Sequence, residues 1–155
     1  MRIQLATLLG TATTGVLLAS GLVLASPAAA AESPQAAYSR TAVTATNAAR
    51  TKQKLKKTGV DSCLTGFAAA HATKLAKEKK LYHQNLKPIL TKCKLKAVAE
   101  NIAYGYPNGT SVVNSGWMKS TGHRKNILGG YTLVAVEARK ANNGTWYAVQ
   151  IFGRR

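Results

Sequence analysis

Three side chains in this sequence are of types that move protons or hold metal ions, and they stand in segments able to fix them: His83, Glu100 and His123. Glu100 is flanked by Val98, Ala99, Ile102 and Ala103, so its surroundings are expected to be buried. A carboxylate taken out of water needs a charged or hydrogen-bonding partner, or its pKa rises; histidine and arginine are the partners at hand. His83 sits beside Tyr82 and near Asn85, past the fading end of a helix, where a loop can aim it into a cleft. His123 follows Gly122, which allows close backbone approach. Arg124 is placed to hold a carboxylate or a carbonyl, and Asn126 to satisfy loop backbone groups. Two histidines with one carboxylate make a zinc ligand set that leaves a position open for water. The spacings are long and no HExxH pattern puts two ligands on one helical turn, so spacing alone does not establish a metal site. Ser120 lacks a nucleophile-elbow or oxyanion-hole pattern. Its hydroxyl is too weak an acid-base group to replace a carboxylate at neutral pH.

The other titratable groups read as structural. His71 lies on an apolar helical stripe, the place of a satisfied core residue. Asp61 is a helix cap, Glu78 sits among lysines on an exposed helix, and Glu137 stands in a strand where Arg139 or a cross-strand residue can pair with it.

The elements that must position these groups follow from periodicity and punctuation. From Tyr38 to Lys57 the chain lacks Gly and Pro, and Ala42, Ala45 and Ala49 recur at helical spacing. A helix is expected there, stopped at Gly59 after a basic last turn. Asp61 or Ser62 caps a second helix with Leu64, Phe67, Ala68, His71 and Leu75 on one face, fading near Lys80. Lys87-Pro88 opens a short third helix. Val98 to Tyr104 reads as extended and Pro107-Asn108-Gly109 as a turn, with Thr110 or Ser111 capping a short helix through Trp117 and Met118. Tyr131 to Lys140 and Thr145 to Phe152 form a hairpin about Asn142-Asn143-Gly144, expected as a type I′ turn. Trp146, Ala148, Gln150 and Phe152 point one way from the return strand and Tyr147, Val149 and Ile151 the other, which predicts a strand covered on both faces. Helices first and a hairpin last argue for α+β, with helices packed on an antiparallel sheet.

The 155 residues allow one domain. Met1-Arg2, an apolar stretch centred on Val16 to Leu24 and the small residues Pro27 to Ala31 read as a secretory signal peptide over residues 1–31. Residues 32–37 then form a linker and 38–155 the domain, secreted and extracellular. In an exported protein two cysteines read as one disulfide, Cys63 to Cys93. Closing that loop is worth about 3.5 kcal/mol of chain entropy. The formal net charge is +17, from 22 basic and 5 acidic residues, and lysines crowd the stretch from Arg50 to Lys96. Such a field attracts polyanions. Outside a cell these are anionic cell-wall polymers or anionic lipid surfaces. Lysine acts as a solvated point charge, without the fork that suits base edges, and no base-recognition motif appears, so nucleic acid is not expected.

Several segments together resemble the CAP superfamily of cysteine-rich secretory, antigen 5 and pathogenesis-related proteins, in its short bacterial form. Asn47-Ala48-Ala49-Arg50 resembles the family's first-helix Asn-x-x-Arg, and Leu64 through Leu81 its second helix, leading to a cavity histidine at His83. Glu100-Asn101-Ile102-Ala103 matches the Glu-Asn-Ile-Ala motif, with Ala99 in place of the usual glycine. Trp117-x-x-Ser120-x-x-His123-Arg124-x-Asn126-Ile127-Leu128 matches the bacterial helix and loop motif, and Tyr147 to Gly153 the last strand. The resemblance spans roughly Asn47 to Gly153. It implies an α-β-α sandwich with a central antiparallel sheet flanked by helices, and a central cleft. In many members that cleft holds two histidines and two acids, and some bind a divalent metal such as zinc there.

By position the cleft residues are His83, Glu100, Ser120 and His123, with Arg124 and Asn126 in support; the possible metal ligands are His83, Glu100 and His123. Ser120 stands where animal and plant members place a glutamate, so the second acid is missing. The expectation is a secreted, monomeric binding protein. Its cleft would take a ligand or divalent metal, and its lysine-rich face would meet polyanions. A zinc-dependent extracellular hydrolase is the alternative.

Overall fold

A computed structural model describes residues 31–155; the expected signal peptide, apart from its last residue, lies outside them. Helix α1, Pro34–Lys52, starts where the Ser33 side chain accepts the Ala36 N–H at 3.2 Å, with Pro34 in its first turn. It therefore takes in four of the residues expected as linker. It also ends five residues sooner than its Gly- and Pro-free run, at a reversal built without glycine. Lys54 adopts φ 59°, its N–H bonding to the Thr51 carbonyl and that of Leu55 to the Arg50 carbonyl. Gly59, expected as the stop, belongs instead to strand β1, Gly59–Val60.

Helix α2, Ser62–Glu78, is capped by Asp61, which accepts the Leu64 N–H at 3.0 Å. Helix α3, Lys87–Lys92, has Pro88 in its first turn. Both end on a left-handed lysine, Lys79 at φ 55° and Lys94 at φ 53°. Strand β2 is Ala97–Tyr104. Asn108, rather than Thr110 or Ser111, then caps α4, Gly109–Ser111, because its side chain and that of Ser111 bond reciprocally to each other's backbone N–H. A π-helical turn (Val112–Gly116) and a 3-10 turn (Trp117–Lys119) lead into α5, Thr121–Ile127. Strands β3, Leu133–Lys140, and β4, Trp146–Arg154, complete the domain. Their connection is not type I′: only Gly144 has positive φ (85°), with its N–H bonded to the Ala141 carbonyl at 2.9 Å. It is a type I turn closed by a left-handed glycine.

The sheet order is β1-β3-β4-β2, antiparallel except where the short β1 pairs parallel with β3. β4 is the inner strand that carries both β2 and β3, and its faces divide as the alternation predicts. Phe152 and Ala148 join Tyr38, Ala42, Val113, Trp117 and Ile127 in a core under α1. Val149 and Ile151 join Leu64, Ala68, Leu75 and Ile89 in a second core under α2 and α3. The result is the expected α-β-α sandwich. The Cys63–Cys93 disulfide, with Cα atoms 5.8 Å apart, ties the start of α2 to the end of α3.

Two polar residues of α1 fasten the loops at one end of the sandwich. Asn47 donates to the Thr58 carbonyl (3.0 Å) and accepts from the Thr58 N–H (2.8 Å) and hydroxyl (3.0 Å). Arg50, only 3% exposed, donates to four carbonyls: Lys56 (2.9 Å), Ile127 (2.8 Å), Gly129 (2.7 Å) and Tyr131 (3.0 Å). Burial pushes its pKa below the usual arginine value.

Candidate functional site

The cleft is built from three elements that reach one edge of the sheet: the loop after α2, strand β2, and α5. The loop is anchored by His71. Its Nε2 lies 2.8 Å from the Tyr82 carbonyl, which can only accept, so Nε2 carries the proton. Thus the histidine read as structural pins the residue that precedes His83.

Glu100 lies at the centre of β2, opposite Ile151, and its side chain is 1% exposed. His83 Nδ1 is 2.8 Å from Oε1, which also accepts the Gln84 N–H at 3.2 Å; the Gln84 amide donates to Oε2 at 2.6 Å. The buried carboxylate therefore has the histidine partner its apolar flanks demand. Its second oxygen is taken by Gln84, a residue the sequence reading passed over. The signal was a carboxylate with two oxygens to satisfy and one histidine to satisfy them. The His83 side chain is 59% exposed. With Nδ1 committed to Glu100, Nε2 is the nitrogen left for a ligand.

His123, half-buried on α5, is held through its backbone. Asn101 donates to the His123 carbonyl (3.1 Å) and to Gln150 (2.9 Å), and Gln150 donates to the Thr46 hydroxyl on α1 at 2.8 Å. Asn126 donates to the Glu100 carbonyl (3.2 Å) and to the Asn101 side chain (2.9 Å), the backbone-satisfying role expected of it. Asn101, Gln150 and Thr46 are fully buried. Gln150 was visible as one amide inside the apolar run Tyr147 to Phe152, where it must find a partner. Burial lowers the His123 pKa, and the charge of His83 lowers it further. Both effects favour the neutral ring, the form that can ligate.

Not every expected residue joins this constellation. Ser120 is the N-cap of α5, but its side chain makes no capping bond. Arg124 is exposed and, among the described residues, pairs with no carboxylate, so it gives the cleft no visible support. Glu137 pairs with Arg139 at 2.9 Å, as its strand position suggested. Among the described residues no group of three His, Cys, Asp or Glu side chains gathers as a metal site. The carboxylate of the expected three-residue set faces His83 and Gln84; it stands behind the histidine rather than beside it.

Every acid in the chain is engaged: Glu32 with Arg40, Asp61 with Arg155, Glu78 with the Tyr82 hydroxyl, Glu100 and Glu137 as above. No lysine among the described residues is ion-paired, so the basic surface is uncompensated. A hollow of about 540 Å³ lies along α1 against Thr110, Asn114 and Met118 and takes in none of the cleft side chains.

The profile of the cysteine-rich secretory protein (CAP) family matches residues 43–152. The chain is 36% identical over 107 residues to the YkwD protein of Bacillus subtilis (strain 168), a match covering 63% of this chain and 40% of that one. Its fold is similar to that of an outer surface protein from Borrelia burgdorferi (TM-score 0.68, 20% identity, 75% of this chain and 91% of the other). It is also similar to an extracellular protein containing a SCP domain from Bacillus anthracis (TM-score 0.68, 23% identity, 78% and 41%). The chain thus spans about two fifths of the Bacillus relatives' length.

Proposed function

The chain belongs to the cysteine-rich secretory protein (CAP) family, and from that premise we propose that it is a secreted binding protein. Its histidine cleft takes a small ligand or a divalent cation such as zinc, and its lysine-rich surface meets phosphate-bearing polyanions outside the cell. The observation that carries the cleft reading is the 2.8 Å contact between His83 Nδ1 and the buried Glu100. A carboxylate that accepts the hydrogen bond of one ring N–H fixes the imidazole's orientation and makes the other nitrogen a better ligand. His83 and His123 are the residues that would hold the cation. A bound zinc would supply a fixed positive charge in the cleft.

Binding is favoured over hydrolysis because Glu100 spends both oxygens on His83 and Gln84. That leaves no carboxylate free to act as base, and Ser120 stands where a second acid would. Support for secretion comes from the leader pattern of residues 1–31 and from neighbours described as extracellular or outer surface proteins. Support for polyanion binding comes from the +17 charge and its unpaired lysines.

Calorimetric titration of the oxidised protein with zinc, beside His83→Ala and His123→Ala, tests the cleft. One-to-one binding lost in both variants is expected. Binding that survives both substitutions would refute it. Anionic vesicles and a phosphate-rich wall polymer test the surface: retention at low salt that is released by salt is expected, and no retention at low salt would count against it.

A further inference from the structure

Beyond the cleft, a hollow of about 330 Å³ is lined by Lys125, Asn126, Gly129, Gly130, Tyr131 and Arg154 among others. We infer that this hollow is a discrete site for a phosphate group, formed by Lys125, Arg154 and the Gly130 N–H over the buried charge of Arg50. The inference narrows the polyanion part of the reading above to one place, and rests on it.

Three independent observations converge. The Arg50 guanidinium lies directly behind the loop. It is buried, has no carboxylate partner, and binds the carbonyls of Ile127, Gly129 and Tyr131. These carbonyls solvate its charge without cancelling it, so the loop rests on an uncompensated cation. Next, the Gly129–Gly130 peptide is trans. Its carbonyl is directed inward at Arg50, so the Gly130 N–H on the same plane points the opposite way. That N–H makes no hydrogen bond among the described residues, which leaves a backbone donor aimed outward. Last, Lys125 and Arg154 flank the hollow, both exposed and both without a carboxylate. Asp61, which could compete, is held by the adjoining Arg155 at 2.7 Å.

A guanidinium fork, an ammonium and a backbone N–H lining one hollow, with every acid in the chain engaged elsewhere, suit a tetrahedral oxyanion. The Asn126 amide hydrogens are spent on Glu100 and Asn101, so this side chain forms the wall shared with the cleft and adds no donor. The hollow is larger than one phosphate and leaves room for an ester substituent. The group it takes is either free phosphate or one unit of a phosphodiester polymer.

The loop's glycines supply a clean test. A Cβ at Gly129 would meet the Tyr131 ring at 2.9 Å and the Lys125 carbonyl at 3.1 Å, whereas one at Gly130 would meet nothing within 4 Å. Gly130→Leu therefore adds bulk at a residue that lines the hollow without a clash against the fold. Amide NMR of the oxidised protein, titrated with inorganic phosphate and with a glycerol phosphodiester oligomer, reads the site. Saturable shifts at Gly130 and Tyr131 are expected, with affinity at least tenfold weaker in Gly130→Leu and in Lys125→Ala/Arg154→Ala. Lys77→Ala/Lys80→Ala, which removes equal charge at the end of α2, should change it less than twofold. Tighter binding of the oligomer assigns the polymer as source and equal binding assigns free phosphate; the site stands in either case. Equal losses in the two double variants, or no saturable shift at Gly130, would overturn it. Retained oligomer binding in the Lys125→Ala/Arg154→Ala and Gly130→Leu proteins would sink this site while leaving the broader surface reading intact.

Discussion

Replacing Arg50 with lysine keeps the buried charge and removes the fork. The four carbonyls are served by three separate nitrogens: Nε reaches Lys56, Nη1 reaches both Ile127 and Gly129, and Nη2 reaches Tyr131. An ammonium placed where Nη1 stands can keep two of these bonds and must abandon Lys56 and Tyr131. Hydrogen bonds to charged groups contribute about 1.5–3 kcal/mol each. The two lost carbonyls are only partly buried, so water recovers some of that, and a loss near the lower bound, about 3 kcal/mol for the pair, is expected. That is a large share of the roughly 5–15 kcal/mol stability of a domain. With a urea slope of about 2 kcal/mol/M, the midpoint of Arg50→Lys should fall by about 1.5 M at unchanged slope. Tryptophan fluorescence follows the transition, since Trp117 sits in the core beside Ile127. A fall under about 0.5 M, or roughly 1 kcal/mol, would mean that a point charge holds the 127–131 loop as well as a fork does. The geometric argument for Arg50 would then be wrong.

Three other outcomes follow from the structure. The His123 pKa is depressed by burial and by His83, so the unfolded chain takes up its proton first as pH falls. Stability is held above about pH 6.5, the unfolded histidine value, and declines below it until the folded-state pKa is passed. NMR titration should show His123 below 6.5 and moving part of the way back in His83→Ala; an unmoved value would deny that the rings share a space. The Cys63→Ser/Cys93→Ser protein should lose about 3.5 kcal/mol by removing closure of a loop whose ends are 30 residues apart, read from denaturation midpoints, and a loss under about 1 kcal/mol would contradict the loop-entropy origin. Lys54→Gly and Lys94→Gly relieve left-handed lysines and should each add about 0.5 kcal/mol after the lost helix-dipole attraction is deducted; lower midpoints would show that those lysines are held by something other than strain-tolerant packing.

The parts of the fold that were legible are those where one residue pattern has one physical solution. Alternation in Trp146 to Phe152 points to a strand with two covered faces, and Glu100 among apolar neighbours to a carboxylate that needs a partner or a raised pKa. The parts that were not legible depend on choices between equivalent residues. Asn108, Thr110 and Ser111 all cap helices, and the reciprocal bond that selects Asn108 exists only in three dimensions. Lysine is among the less expected residues at a left-handed helix end, so the stop of α1 at Lys52 carried no glycine to mark it. Asn47 and Arg50 match by resemblance, but Asn47 works on Thr58, past the helix end, and Arg50 on a loop some 80 residues away, partners that no local pattern announces. Gln84 was hidden because a glutamine beside a histidine announces nothing until the carboxylate arrives from another strand.

The position of β4 has a consequence for how the domain is made. Among the described residues β2 pairs only with β4, and Asn101 meets Gln150 across 49 residues of chain. The strand that carries Glu100 therefore has no partner until the last strand of the domain is available. The β1–β3 pairing can precede β4, but β2 and both cores are completed only when β4 is in place. Long-range closure of this kind is slow. The histidine cleft, whose Glu100 stands on β2, is therefore completed only after β4 has docked.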